Sequence, residues 1–302
     1  MERRGWRRIF VARGRVRSLW RLLAFVALLA LLGVGGSIVF APLLRAAGSA
    51  LVAQSALVLA AALIAGWIAL AWFDGRRPGA LGFAWTSHSP RELVGGFGIG
   101  AGALGVVVAG LALAGWLDYR PETGSAADYL GALTRDLMVL AVAAAAEEAV
   151  FRGYGFQVLV QGIGPVAATV LAAAAFAAAH IGNPNVGGIA LVNIFLAGVL
   201  LSATYLRSRS LWLATAVHVG WNWAMASAFD LPVSGWEFFD TPLYEPVLGG
   251  PDWVTGGAFG PEGGIGASIA FVIALIAVTR LPGLGEAPEM RARRPLIDEG
   301  GS

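Results

Sequence analysis

Residues 141–156 read AVAAAAEEAVFRGYGF and place two adjacent glutamates and an arginine inside an apolar run that is long enough to span a lipid bilayer. An ionisable side chain at the centre of a membrane helix costs about 3 kcal/mol on insertion scales, so such groups are rare there and mark function. The stretch therefore predicts both a membrane-spanning helix and a polar site within it.

The composition of the whole chain agrees with a membrane location. Of its 302 residues, 57% are hydrophobic and only 13% are charged, and the mean hydropathy is +0.71. Soluble domains carry roughly 25% charged residues. The chain contains no cysteine, which excludes disulfides, thiolate metal sites and cysteine nucleophiles. We expect an integral membrane protein.

Apolar runs recur along the chain and predict an all-α, polytopic bundle of about eight transmembrane helices within residues 20–283. The runs cover roughly residues 20–43, 48–73, 92–116, 134–158, 163–181, 187–206, 210–229 and 264–281. The basic segment 1–19 precedes them, and the polar segment 284–302 follows them as a predicted disordered tail. We find no internal repeat and no second domain.

The charges of the connecting segments alternate. Arginines concentrate before the first run, after the last one and in alternate loops, whereas the predicted outer loop 230–263 holds six acidic residues and no basic one. Because cytoplasmic loops are enriched in basic residues, the pattern predicts a multi-pass protein of the cell membrane with both termini in the cytoplasm. The arginine-rich amino terminus indicates lipid headgroups, and not nucleic acid, as its partner.

The segment GAGALG at residues 100–105 matches the dinucleotide-binding pattern G-x-G-x-x-G. That pattern requires a preceding strand and a following helix, and here it lies inside an apolar run. We interpret its glycines, with Gly96 and Gly98, as small residues that let membrane helices approach one another.

Polar side chains in three of the runs form a candidate site. Glu148 and Arg152 are four residues apart and share a helix face, so Arg152 is expected to neutralise Glu148. Glu147 points elsewhere and is the better candidate for a base. His180 lies at the end of the apolar run 163–181. His218 and Asn222 lie one helical turn apart in the run 210–229.

Two mechanisms for peptide-bond hydrolysis fit these residues and stay open. In one, Glu147, His180 and His218 bind zinc and leave a position for water. In the other, Glu147 and His180 activate water as general bases, while His218 and Asn222 stabilise the oxyanion. The H-E-x-x-H, G-x-G-D and G-x-S-G motifs of other proteases are absent.

These residues also resemble a known family. EEAVFR at 147–152, FAAAH at 176–180 and HVGWN at 218–222 match the ordered motifs E-E-x-x-x-R, F-x-x-x-H and H-x-x-x-N. The set resembles the CPBP family of intramembrane proteases, also called Abi or type II CAAX prenyl endopeptidases, over residues 134–229. The resemblance implies an eight-helix hydrolase, described as a metalloprotease or as glutamate-dependent, that acts on membrane-associated or lipidated proteins.

Within that family pattern, Glu147 and His180 correspond to the water-activating pair and His218 and Asn222 to the oxyanion-stabilising pair. Glu148 and Arg152 occupy the remaining motif positions. Two other classes of protein would also bury such a cluster: a non-catalytic immunity or scaffold protein, and a transporter of ions or protons, in which buried carboxylates and histidines form relays.

Overall fold

The computed structural model describes residues 9–12, 14–46 and 49–298, most of which are helical. The helices are α1 Ser18–Val39, α2 Ala41–Ala46, α3 Ala50–Ala69, α4 Ser89–Leu113, α5 Ala126–Phe151, α6 Tyr154–Ile163, α7 Pro165–Ala179, α8 Gly188–Ser208, α9 Leu211–Trp223, α10 Asp252–Thr255, α11 Ile265–Arg280 and α12 Pro288–Arg293. Two antiparallel strand pairs join β1 Val11–Ala12 to β2 Arg15–Val16 and β3 Leu117–Pro121 to β4 Tyr244–Leu248.

The predicted all-α polytopic bundle is confirmed. In the described part of the chain, five helical segments are long and apolar enough to cross a membrane. They are Ser18–Val39, Ala50–Asp74, Ser89–Leu113, Ala126–Ile163 and Gly188–Ser208. Helices α7 and α11 are apolar but shorter. Each predicted run contains an observed helix, and the count of eight spans stays a prediction.

The predicted run 134–158 is not one helix. Helix α5 begins earlier, at a capping box in which Ser125 Oγ accepts from the Asp128 N–H and the Asp128 carboxylate accepts from the Ser125 N–H. It ends at Phe151, and α6 begins only after Gly153. A side chain at Gly153 would overlap the carbonyl oxygen of Ala149. The break places Glu147 and Glu148 in the last turns of α5.

Helices α4 and α9 cross at close range. A Cβ atom on Gly100 would overlap the Val217 carbonyl oxygen, and one on Gly220 would overlap the Phe97 carbonyl oxygen. Gly96 likewise packs on Ala216. The helix-packing interpretation of the glycine-rich segment therefore holds at these positions. It is wrong for the glycines that face open space, namely Gly98, Gly102 and Gly105.

The predicted outer loop 230–263 contains β4 and the short helix α10. Asn193 on α8 fixes its far end. The Asn193 amide donates to the carbonyl oxygens of Glu262 and Gly264, at 2.7 and 2.8 Å, and accepts from the Ser268 hydroxyl. The segment is thus held against the bundle by a fully buried side chain.

The prediction of a disordered tail is wrong for residues 284–298. They include α12, and Met290 and Leu296 are fully buried. The Leu296 N–H donates to the side-chain oxygen of Gln157 on α6 at 2.9 Å. Apolar side chains in this short segment find partners on the bundle, and that burial favours order. Residues 299–302, and residues 1–8 and 13 of the basic amino-terminal segment, lie outside the described residues.

Candidate active site

The predicted pair of Glu148 and Arg152 forms at the end of α5. Both side chains are fully buried, and Arg152 Nη1 lies 3.1 Å from Glu148 Oε1. Arg152 Nη2 also donates to the Gly198 carbonyl oxygen on α8 at 3.1 Å. The ring of Phe176 on α7 covers the guanidinium, with its centroid 4.5 Å from Cζ. Arg152 therefore joins three helices.

Glu148 has a second partner that the sequence did not indicate. His218 Nδ1 on α9 lies 3.0 Å from Glu148 Oε1. A carboxylate only accepts hydrogen bonds, so Nδ1 carries the proton and Nε2 is the ring nitrogen that remains for other contacts. Glu148 therefore orients the imidazole as well as neutralising Arg152.

Glu147 faces a different environment. Its side chain is 38% exposed, against 0% for Glu148, and its Oε2 lies 4.0 Å from His218 Nε2. In the described part of the chain, Glu147 Oε2 has no hydrogen-bond donor within reach. The prediction that Glu147 lacks a partner on its own helix holds, and the acceptor is left for another molecule.

His180 lies at the carboxyl end of α7, as its C-cap. Its Nδ1 is 2.8 Å from the Phe176 carbonyl oxygen. A carbonyl only accepts, so Nδ1 donates, and Nε2 of the neutral ring keeps its lone pair. The Phe176 ring also packs against His180 and His218, with centroid distances of 4.8 and 6.1 Å. Phe176 was visible in the sequence only as the first position of its motif.

One cavity of about 370 Å³ brings the predicted site residues together. Glu147, His180, His218 and Asn222 all line it. Most of the remaining lining is apolar, and it comes from several helices and from the outer segment 230–263. The other charged or amide- or hydroxyl-bearing side chains of the lining are Asn183, Ser234 and Glu262. A largely apolar cavity with a few such groups can bind a water molecule and an extended peptide beside it.

Sequence reasoning missed Glu262, which lines the same cavity. Its Oε1 accepts from the Trp221 indole N–H at 2.9 Å, and its Oε2 accepts from the Ser234 hydroxyl at 2.5 Å. In the sequence it is one of six acids in the outer loop, and no spacing separates it from the others.

The described residues contain no group of three or more His, Asp or Glu side chains that could hold a metal ion. Glu147 Oε2 and His218 Nε2 lie 4.0 Å apart. The hydrogen bond from His218 Nδ1 to Glu148 leaves Nε2 as the ring nitrogen that could bind a metal. The zinc site of Glu147, His180 and His218 therefore stays a prediction.

Comparison with known proteins agrees with the motifs. Residues 130–224 match the sequence model of the family described as type II CAAX prenyl endopeptidase Rce1-like. The match covers about a third of the chain and contains every predicted site residue, from Glu147 to Asn222. No curated protein matches the chain. Residues 130–224 are thus similar to the Rce1-like family of type II CAAX prenyl endopeptidases.

Proposed function

We propose that the protein is an intramembrane endopeptidase that hydrolyses peptide bonds of membrane-associated or lipidated proteins. The observation that carries the proposal is the single cavity lined by Glu147, His180, His218 and Asn222 between apolar helices. The family match in the same residues supports it. We propose the glutamate-dependent mechanism, because Glu147 Oε2 has no hydrogen-bond donor among the described residues and can accept a proton from water.

In the first step, Glu147 acts as the general base. Its carboxylate removes a proton from a bound water, whose oxygen attacks the substrate carbonyl carbon, and one electron pair of the C=O bond moves to the carbonyl oxygen. The lone pair on His180 Nε2 accepts the other water proton as a hydrogen bond and orients the attack. Such general base catalysis contributes about 10²–10⁴-fold.

His218 and Asn222 would stabilise the resulting oxyanion. With Nδ1–H bonded to Glu148, His218 donates from Nε2 when the ring is protonated, and the Glu148 carboxylate compensates the added charge. The Asn222 amide, one helical turn away, donates the second hydrogen bond. Donors held in place before the reaction need no reorganisation, and removing one typically costs about 10²–10³-fold.

In the second step the intermediate collapses. The C–N bond breaks, its electron pair stays on nitrogen, and the proton held by Glu147 passes to the leaving amine. An electron pair of the oxyanion re-forms the C=O bond, and the products are a carboxylic acid and an amine. The acid then gives its proton to the amine, which leaves a carboxylate and an ammonium group, and Glu147 returns to its ionised form.

The proposal is tested with purified protein and a farnesylated peptide, whose products are identified by mass spectrometry. We expect the wild type to release two fragments, and His180→Ala and His218→Ala to reduce the rate by at least about 100-fold. Excess chelator should leave the rate unchanged. Equal rates for the three proteins would leave a non-catalytic scaffold, and loss of cleavage with chelator would show that the mechanism requires a metal.

A further inference from the structure

The ionisable side chains that line the active-site cavity include two carboxylates and no arginine. They are Glu147, His180, His218 and Glu262, and none of the described lining residues is an arginine. The nearby Arg152 is fully buried against Glu148 and Gly198 and does not line the cavity. With His218 protonated, as the proposed mechanism requires, the lining holds two acidic groups and one cation, and Glu148 outside the lining already pairs with that cation.

Glu262 is held rigidly in the cavity wall. It is only 6% exposed, and donors on two separate segments, Trp221 on α9 and Ser234 in the outer loop, fix its two carboxylate oxygens. Its backbone oxygen is fixed by Asn193. Each carboxylate oxygen can accept a further hydrogen bond, so the group keeps capacity for a substrate.

Glu262 lines the same cavity as the proposed reacting groups. Its partner Trp221 is the neighbour of Asn222 in sequence and lies three residues after His218 on α9. The cavity is mostly apolar, and an apolar surrounding strengthens electrostatic interactions. A substrate group of either sign in this cavity therefore interacts strongly with Glu262.

Building on the proposed function, we propose that Glu262 determines substrate specificity: the enzyme selects a peptide segment with a cationic side chain near the scissile bond. The same charge disfavours acidic side chains at that position.

The substitution Glu262→Gln removes the charge of the side chain and can keep its hydrogen bonds to Trp221 and Ser234. Glutamine keeps an oxygen that accepts from the Trp221 N–H, and its amide can donate to the Ser234 hydroxyl, which also accepts. A purely structural role predicts near-normal selectivity in this variant. Glu237→Gln is the matched control, because it removes an exposed carboxylate of the same segment that does not line the active-site cavity.

The experiment uses farnesylated fluorogenic peptides that differ at one position, occupied by Arg, Gln or Glu and scanned across both sides of the cleaved bond. We expect the wild type to prefer Arg over Glu by about tenfold or more in kcat/KM at one position. Glu262→Gln should lower that ratio about tenfold, and Glu237→Gln should not. An unchanged ratio in Glu262→Gln would overturn the inference.

Failure of the proposed function can be distinguished from failure of this inference. If the wild type cleaves none of these peptides, the endopeptidase proposal fails. The charge selection is then measured as binding of the same labelled peptides to Glu147→Gln and to Glu147→Gln/Glu262→Gln. Preference for the Arg peptide only in the protein that keeps Glu262 would support the inference, and equal preference in both would reject it.

Discussion

The adjacent residues Glu147 and Glu148 meet different surroundings because successive positions of an α-helix point about 100° apart. Glu148 faces the protein interior, where Arg152 and His218 contact it, and Glu147 faces the cavity. The pair with Arg152 could be predicted from its spacing of four residues. The contact with His218 could not, because it joins helices 70 residues apart in the sequence.

For the residue pair Glu148 and Arg152 we predict that the effects of single substitutions on the free energy of unfolding are strongly coupled. Removing one partner of a buried ion pair leaves an uncompensated charge and typically costs about 3–5 kcal/mol. Glu148→Gln and Arg152→Met should each lower the free energy of unfolding by that amount, measured by denaturant titration in detergent. The double variant should lose clearly less than the sum of the two. Additive losses would mean that the pair contributes nothing as a pair.

The packing of helix α4 on helix α9 sets the position of His218 and Asn222, the residues proposed to stabilise the oxyanion. Gly100 on α4 lies against the α9 backbone beside Val217, directly before His218. Hydrophobic runs predicted where the helices lie, but not which glycines face a neighbour. The helix break after Phe151 could not be predicted either, because the sequence around Arg152 and Gly153 is also compatible with one long helix.

We predict that Gly100→Ala reduces both stability and cleavage, because its methyl group would overlap the Val217 carbonyl oxygen and displace α9. Overpacking of this kind costs about 1–3 kcal/mol. Gly98→Ala, on the same helix, is the control, since no atom lies within 4 Å of its added methyl group. Thermal unfolding and peptide cleavage are measured on both. Similar behaviour of the two variants would contradict the observed crossing.

The outer segment should respond to pH through Asp230. Burial raises the pKa of Asp230 to about 6, and the charges of Asp240 and Glu245 add to the rise, while hydrogen bonds from Thr241 oppose it. The folded state therefore binds this proton more tightly than the unfolded state. Its contribution to stability is fully present below the ordinary pKa of an aspartate and is lost as the pH rises through about 6.

Asp230→Asn removes this titration and keeps an oxygen that accepts from the Thr241 N–H. At pH 8 we expect its Tm to exceed that of the wild type by about 2–4 °C. The difference should vanish or reverse at pH 4. Melting curves of both proteins across this range check the prediction, with Glu237→Gln as the control, and a difference independent of pH would refute it.

On the scale of the whole molecule, composition and periodicity were sufficient to predict an all-α membrane bundle. Three short motifs were sufficient to predict the family whose sequence model matches residues 130–224. Composition gave the wrong prediction for residues 284–298. The segment is mostly polar, but it contains apolar side chains such as Met290 and Leu296 that pack on the bundle. Glu262 was missed for a related reason. Its role depends on contacts with Trp221 and Ser234, which only the folded chain brings together.

The arginine distribution predicts that residues on either side of the bundle face different compartments. Because the chain has no cysteine, single cysteines can report this without background. We expect Glu237→Cys to react with a membrane-impermeant maleimide in intact cells, and Arg77→Cys and Arg291→Cys to react only after permeabilisation. Labelling of all three in intact cells, or the reverse order, would refute the predicted orientation.

The most direct test of the account is the turnover of a farnesylated peptide by Glu147→Gln, compared with the wild type under saturating substrate. Glutamine keeps the size of the side chain and cannot accept the water proton, so we predict that kcat falls by at least about 100-fold while the Tm stays within a few degrees. A folded Glu147→Gln protein with near-normal kcat would contradict the claim that Glu147 activates the attacking water.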